Sequence, residues 1–169
     1  LDVISAGFVN AIAGNLLDYD DTHLRTVIHP AAPVAPVAVA LAEQRGLSGA
    51  AVLHALLLGI EVECRIGNTV SPGHYARGWH ITSTCGAGLV ENLPFAAKNV
   101  SVGNAARNGI FAALLAEQGY TAAPASIEGG LGWARAMGDD PDVAAVLDGL
   151  GSDWEAAKNT YKPVSYTHL

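Results

Sequence analysis

Residues 48–70 read SGAAVLHALLLGIEVECRIGNTV, and this stretch decides the fold class. Ser48 is a favourable residue for a helix N-cap. Apolar side chains then recur at helical spacing, at Val52, Leu56, Leu57, Ile60 and Cys64. The sequence therefore predicts one long helix that runs to about Val70, with a break at Pro72 and Gly73.

The rest of the chain shows the same helical character. An apolar run without alternation predicts a buried helix over residues 3–17. Further helices are predicted over 36–45 with Gly46 as the C′ residue, over 103–118 with Gly119 after it, and over 141–150 with Asp140 as the N-cap. No segment has the pattern of a β-hairpin or of successive alternating strands. The predicted fold class is all-α.

Composition limits the domain organisation and the function. The chain has 169 residues, of which 50% are hydrophobic and 15% are charged, which suits a single sizeable core. A net charge of -7 argues against nucleic-acid binding. Glu61 and Arg65 interrupt the best candidate for a membrane span. Cys64 and Cys85 lack the spacing of a metal or cluster site, so we predict reduced thiols in a cytoplasmic protein.

A polar segment follows the first predicted helix. Residues 17–23 read LDYDDTH, and His29-Pro30 comes shortly afterwards. If the segment is still helical, Asp18 faces Thr22 at i,i+4. Pro30 favours an extended conformation for His29, which allows its ring to turn back over the same residues. The alternative is a polar helix end whose aspartates cap the next element.

These motifs occur together with several others in a fixed order. They are NAIA at 10–13, LDYDDTH at 17–23, HP at 29–30, ALAE at 40–43, GIEV at 59–62, GWHITST at 78–84, VGNAARNG at 102–109 and NTYKP at 159–163. As a set they resemble the MmgE/PrpD family, whose members include dehydratases, decarboxylases and epimerases of small carboxylic acids. The resemblance covers nearly all of residues 1–163 and implies the helical large domain of that family.

The resemblance implies a lyase that acts on a small di- or tricarboxylate such as 2-methylcitrate, in propionate catabolism, without a metal or another cofactor. Such a reaction passes through a carbanion-like state beside a carboxylate, so it needs cations and an acid/base group. Carried over by motif, the catalytic residues are Asp18, Thr22, His29 and His80. The substrate-binding residues are Lys98 and Lys162, and the substrate is the small polycarboxylate itself.

Each of these residues also has a structural interpretation. His29 can serve as a hydrogen-bonding loop residue and His80 as a packed core residue, while lysines are usually solvated surface groups. We interpret both histidines as proton-transfer groups because imidazole titrates near neutral pH. Asp18 is expected to orient His29 or to accept from a substrate hydroxyl, with Thr22 as its partner. Lys98 is expected just before a helix N-terminus, which favours anions. Asp20, Asp21, His23 and Arg107 are expected to support or cap the site.

The chain departs from the family pattern in two places. The family has an Ala-rich helical hairpin before the AGLVE motif at 87–91, so we expect an internal deletion near Gly86. Residues 164–169 resemble the translation of a sequencing adapter, and the true N-terminus is expected to be missing. We therefore expect a partial helical domain over 1–163, a non-native tail over 164–169, and no activity from this fragment alone.

Three alternatives stay open at this stage. The intact parent is either a dehydratase or decarboxylase, or an epimerase that acts on a similar dicarboxylate. The third alternative is a non-catalytic helical module for interaction or dimerisation. The resemblance also implies a homodimer of the intact parent. The net charge and the absence of a long apolar run predict no nucleic-acid or membrane partner.

Overall fold

The computed structural model describes residues 1–70 and 95–161, and these residues form a mainly helical domain. Its α-helices are α1 (Val3–Asn15), α2 (Ala31–Arg45), α3 (Gly49–Asn68), α4 (Ala97–Glu117) and α5 (Trp133–Met137). Two 3₁₀ helices follow, η1 (Val143–Val146) and η2 (Glu155–Lys158). The strands β1 (Asp21–His23) and β2 (Asn159–Tyr161) complete the fold. The all-α prediction is confirmed for the body of the domain.

Helix α3 forms as the sequence predicts. Ser48 is its N-cap, and its hydroxyl accepts from the backbone N–H of Ala51 at 3.3 Å. The preceding helix ends at Gly46, whose φ of 62° lies in the left-handed region that glycine adopts without strain. The proposed helix break at Pro72-Gly73 lies outside the described residues.

Helices α2 and α4 begin earlier than predicted. Helix α2 starts at Ala31 and includes Pro33 in its first turn, where the absent N–H is not needed. Helix α4 starts at Ala97 and continues through Gly103. A Cβ on Gly103 would lie only 2.7 Å from Ile12, so this glycine marks a close crossing of α1 and α4, and not a helix boundary.

The predicted helix over 141–150 is wrong, because only the short η1 forms there. Asp142 is its N-cap, in place of the predicted Asp140, and its carboxylate accepts from Ala145 N at 3.3 Å. Gly149 and Gly151 have positive φ angles of 63° and 85°, which stop a helix from continuing.

A short antiparallel pair of strands was not predicted. Strand β1 pairs with β2 in the register Asp21 to Tyr161, Thr22 to Thr160 and His23 to Asn159. Each strand has three residues, which is too short to show an alternating pattern in the sequence. The pairing connects the polar segment after α1 to the far end of the described chain.

Within residues 1–70 and 95–161 the core consists of two small clusters. One lies where α1, α2 and α4 meet and contains Ala11, Ala32, Val102 and Ala106. The other contains Ile28, Cys64 and Val70, with Trp133 and Met137 packed against it. Cys64 is a free, fully buried thiol, and burial raises its pKa. The single sizeable core expected from composition is thus divided in the described residues.

An apolar groove of about 680 Å³ lies between α2, α3 and α4. Its lining includes Val34 and Leu41 of α2, Leu58 and Val62 of α3, and Trp133. Leu58 and Val62 are 55% and 53% exposed. The described residues therefore leave a large apolar surface of these helices uncovered.

Candidate active site

The polar segment after α1 is a turn followed by a strand. Helix α1 ends at Asn15, Asp18 has a positive φ of 57°, and Thr22 lies in β1. The conditional prediction that Asp18 faces Thr22 on one helix is therefore wrong. Aspartate tolerates the left-handed conformation better than most residues because its short polar side chain can bond locally. Asn15 stabilises this turn by donating to the Asp20 carboxylate at 2.6 Å.

Lys98 and Asp18 form an ion pair across the domain. The Lys98 ammonium donates to both carboxylate oxygens of Asp18, at 2.7 and 2.8 Å. The two side chains are 24% and 20% exposed, so the pair is accessible without being fully solvated. Lys98 is the second residue of α4 and so lies inside its first turn, slightly further along than predicted. Two candidate residues 80 positions apart in sequence thus meet.

His29 and Thr22 also meet. His29 Nδ1 lies 2.8 Å from the backbone carbonyl of Asp21 and 3.2 Å from Thr22 Oγ1. A carbonyl oxygen only accepts, so the closer contact requires a proton on Nδ1. The neutral ring then carries its basic lone pair on Nε2. In this tautomer Nε2 is the nitrogen that can accept a proton.

Asp21 holds the segment in place. Its carboxylate accepts from the backbone N–H of Ala31 at 3.0 Å and from the Asn159 amide at 2.5 Å. Burial raises the pKa of Asp21, and the N–H of Ala31 counteracts this effect. Because Ala31 is the first residue of α2, Asp21 caps the N-terminus of this helix, and its support of a catalytic site stays a prediction. Arg107, also expected to support the site, lies over the ring of Phe8 at 5.7 Å.

His23 has a buried partner that the sequence did not indicate. Its Nε2 lies 2.9 Å from Glu155 Oε2 and its Nδ1 lies 2.7 Å from Thr26 Oγ1. Burial lowers the pKa of His23, although its bond to Glu155 counteracts this. Burial disfavours the charge of Glu155, but hydrogen bonds from Lys158, Asn68 and His23 outweigh it and hold its pKa at about 2. No local motif signals a contact between residues 132 positions apart.

A second buried network connects α3 to the segment that carries Glu155. Arg65 Nε donates to the Glu61 carboxylate at 2.6 Å. Its other nitrogens donate to the carbonyls of Val146, Asp148 and Asp153. The remaining Glu61 oxygen accepts from the N–H of Ala156 at 2.8 Å. In the sequence these charges only interrupted an apolar run. In the structure they attach the η1–η2 segment to α3.

Two candidate residues, His80 and Lys162, lie outside the described residues, as do Gly86 and residues 164–169. Among residues 1–70 and 95–161, no group of three or more His, Cys, Asp or Glu side chains is arranged to hold a metal ion. No helix within the same ranges is long and apolar enough to cross a membrane.

Comparison with known proteins identifies the family. The family model of the MmgE/PrpD N-terminal domain matches residues 1–90 and 86–145. The chain belongs to the MmgE/PrpD family. The resemblance drawn from the motifs is thereby confirmed, together with the helical fold that it implied.

Two curated relatives carry the name cis-aconitate decarboxylase. Both are from Aspergillus terreus, one of them from strain NIH 2624 / FGSC A1156, and each is 28% identical over 198 residues. The match covers 91% of this chain and 40% of each relative, so the chain spans about two fifths of their length. The matched length exceeds the 169 residues of the chain, as expected if the relatives have additional residues inside the matched region. No solved structure gives a significant match.

Proposed function

We propose that the protein is a lyase that acts on a small di- or tricarboxylate, by dehydration or decarboxylation. The family contains such enzymes, and the relatives named cis-aconitate decarboxylase support this reaction class. The single observation that carries the proposal is the bidentate ion pair of Lys98 with Asp18. Asp18 is close in sequence to Thr22 and His29, which also contact each other. A cation and an imidazole on elements that carry family motifs support the proposal.

Lys98 is proposed to bind a substrate carboxylate. A lysine ammonium has three donor hydrogens, so a substrate anion can share Nζ with Asp18 or replace it. The partial exposure of both side chains supports access from solvent. Lys162 is proposed as a second carboxylate-binding residue from its motif alone.

His29 is proposed to move a proton through Nε2. In dehydration, a base takes the proton from the carbon beside a carboxylate, the bond from carbon to the hydroxyl oxygen breaks, and an acid protonates the leaving hydroxyl to water. In decarboxylation, the bond from carbon to the carboxylate breaks, carbon dioxide leaves, and an acid protonates the remaining carbanion. His80 is proposed from its motif as the second proton-transfer group.

Turnover assays on a parent protein that covers the full length of the relatives test this proposal. The substrates are 2-methylcitrate, followed by formation of the dehydrated acid, and cis-aconitate, followed by release of carbon dioxide. We expect turnover of at least one of them and none from residues 1–169 alone. Absence of turnover on both would contradict the proposal. Inversion of a stereocentre without loss of water or carbon dioxide would indicate the epimerase alternative.

Metal independence is part of the proposal and has its own test. The parent is treated with excess chelator, and its turnover is compared before treatment, after treatment and after addition of iron or zinc. We expect the same rate in all three samples. Loss of turnover that added metal restores would show that a metal takes part.

A homodimer of the parent is also proposed, from the resemblance. The exposed leucines of α3 support it, since Leu53, Leu57 and Leu58 are 67%, 45% and 55% exposed. Light scattering on the parent and on its Leu57→Lys variant measures the mass directly. We expect a dimer that the lysine weakens, and a monomeric parent would contradict the proposal.

A further inference from the structure

Glu155 and His23 form a buried contact between two distant parts of the chain. His23 is 1% exposed and Glu155 is 5% exposed. The Glu155 carboxylate can only accept, so the 2.9 Å contact requires a proton on His23 Nε2. His23 Nδ1 then accepts from the hydroxyl of Thr26 at 2.7 Å. Both nitrogens of a neutral His23 ring are therefore satisfied, and the ring is fixed in one tautomer.

The backbone of His23 closes the loop that leads to His29. Its N–H donates to the carbonyl of Ile28 at 3.0 Å, and its carbonyl accepts from Val27 N at 2.7 Å and from Thr26 N at 3.3 Å. His29 follows Ile28 directly in the chain. The position of His29 is thus determined by a loop whose hydrogen bonds converge on His23.

This loop contains a strained residue. Val27 has a φ of 56°, a conformation that β-branched residues rarely adopt. Such a residue persists only when the surrounding structure holds it. The hydrogen bonds to His23 keep Val27 in this conformation, and Glu155 in turn fixes the ring of His23.

Glu155 is itself held from two sides. Lys158 donates to its Oε1 at 2.7 Å, and the neighbouring Ala156 N–H is bound by Glu61 of α3. Strand β2 follows η2 directly and pairs with β1, so His23 and Thr22 lie opposite Asn159 and Thr160. The contact therefore joins α3, η2 and the β1–β2 pair at one point.

We propose that Glu155 and His23 are positioning residues, which act through the loop 23–28 to hold His29 and its Nδ1–H tautomer in place for proton transfer. The assignment of catalysis to His29 rests on the proposed function. The placement and tautomer of His29 do not, and they can be measured without turnover.

Four variants separate this contact from general stability. Glu155→Ala removes the acceptor. His23→Asn keeps a polar atom near the Nδ1 position but is too short to reach Glu155, whereas His23→Gln places its amide near the Nε2 position and can keep the contact. Glu117→Gln is the matched control, because Glu117 pairs with Arg45 at an exposed site where the side chains are 47% and 41% exposed.

The measurement is long-range ¹H–¹⁵N NMR of the histidine rings in the 169-residue chain, with His29 assigned from His29→Gln. In the unsubstituted chain and in His23→Gln and Glu117→Gln we expect the Nδ1–H form of His29. In Glu155→Ala and His23→Asn we expect mixed tautomers. The amide of residue 23 should exchange about 10- to 100-fold faster in these two variants, as expected for loss of a hydrogen bond to a charged group.

A folded Glu155→Ala or His23→Asn variant with the unaltered His29 tautomer and exchange rate would overturn the proposal. If both contact-breaking variants fail to fold while His23→Gln folds, the pair is a requirement of the fold, and the narrower role at His29 is likewise overturned.

Kinetics on the parent protein separate this proposal from the proposed function. In Glu155→Ala we expect kcat to fall by about 10²-fold with little change in KM, as a small misplacement of a catalytic group predicts. A parent without any turnover would contradict the proposed function, while the NMR result would still decide the role of Glu155.

Discussion

Two adjacent sides of α3, one polar and one apolar, differ in how completely they are covered. On one side, Glu61 and Arg65 are about 95% buried, and four groups of the 146–156 segment complete their hydrogen bonds. On the adjacent apolar side, Leu58 and Val62 are more than half exposed along the groove. A buried charge strongly disfavours folding unless its partners are present, whereas an uncovered leucine is tolerated. The polar side of α3 is therefore complete within the described residues, and its apolar side leaves surface for additional contacts.

The largest predicted effect concerns chemistry at the candidate active site. His29→Gln in the parent should lower kcat by about 10²- to 10⁴-fold with a small change in KM, because it removes the proton-transfer group. We predict the same for His80→Gln. Glu117→Gln is the control and should keep kcat within a factor of about 3, because Glu117 pairs with Arg45 at an exposed site and an exposed substitution changes stability by only about 0.5 kcal/mol. Steady-state kinetics of the variants measures both constants. An unchanged kcat in His29→Gln would show that His29 takes no part in the mechanism.

The second prediction tests whether the polar side holds the domain together. Arg65→Met should lower the free energy of unfolding by about 3–5 kcal/mol, because it leaves the buried Glu61 carboxylate without its partner. Arg45→Met breaks the exposed pair with Glu117 and should cost only about 0–1 kcal/mol. Urea denaturation of both variants gives the comparison. Equal decreases in the free energy of unfolding would mean that burial of the Glu61–Arg65 pair does not increase its contribution to stability.

The third prediction concerns the cation of the candidate site. Lys98→Met in the parent should raise KM by about 10- to 100-fold, which corresponds to loss of a charge-assisted hydrogen bond of roughly 1.5–3 kcal/mol. Arg45→Met is a useful control, because it also removes a cation but one that pairs with Glu117 at an exposed site. An unchanged KM in Lys98→Met would show that Lys98 does not bind the substrate.

The fourth prediction concerns a carboxyl group at the groove. Burial is the main cause that raises the pKa of Glu63 from 4.5 to about 8, and the charge of Asp21 adds to it. Between these two values the unfolded chain loses a proton that the folded chain keeps. Stability contributed by Glu63 is therefore complete below about pH 4.5 and decreases as the pH rises to about 8.

Urea denaturation as a function of pH tests this effect. The decrease attributable to Glu63 is at most about 1.4 kcal/mol per pH unit, the value for one proton. Glu63→Gln should flatten the curve in this range, whereas Glu117→Gln should leave it unaltered. A Glu63→Gln curve parallel to that of the unsubstituted chain would show that Glu63 ionises normally in the folded state.

Local signals in the sequence predicted the helices. Polar contacts between distant positions could not be predicted from the sequence. Ser48 and Gly46 mark helix ends through their own backbone and side-chain chemistry, so the boundary between α2 and α3 was predictable. The segment over 141–150 was predicted as a helix from local signals such as Asp140. The bonds from Arg65 to its carbonyls leave no trace in the local sequence. The motifs indicated Asp18, Lys98 and His29, but the role of Glu155 depends on a contact 132 positions away.

The smallest predicted effect tests whether the loop before His29 stores backbone strain. Val27 has a φ of 56°, which costs roughly 1–2 kcal/mol for a residue with a Cβ. Glycine removes that cost but adds about 0.5–1 kcal/mol of conformational entropy to the unfolded chain. Val27→Gly should therefore change the free energy of unfolding by about 1 kcal/mol or less, in the stabilising direction.

Val9→Gly is the matched control for this last substitution. Val9 lies in α1 and is 48% exposed, so glycine there has the same entropic cost without any strain to relieve. It should destabilise the domain by about 0.5–1 kcal/mol. The difference between the two variants, measured by urea denaturation, isolates the strain at Val27 from the general effect of glycine. If both variants lose the same stability, the loop before His29 is relaxed, and the hydrogen bonds to His23 have no strain to oppose.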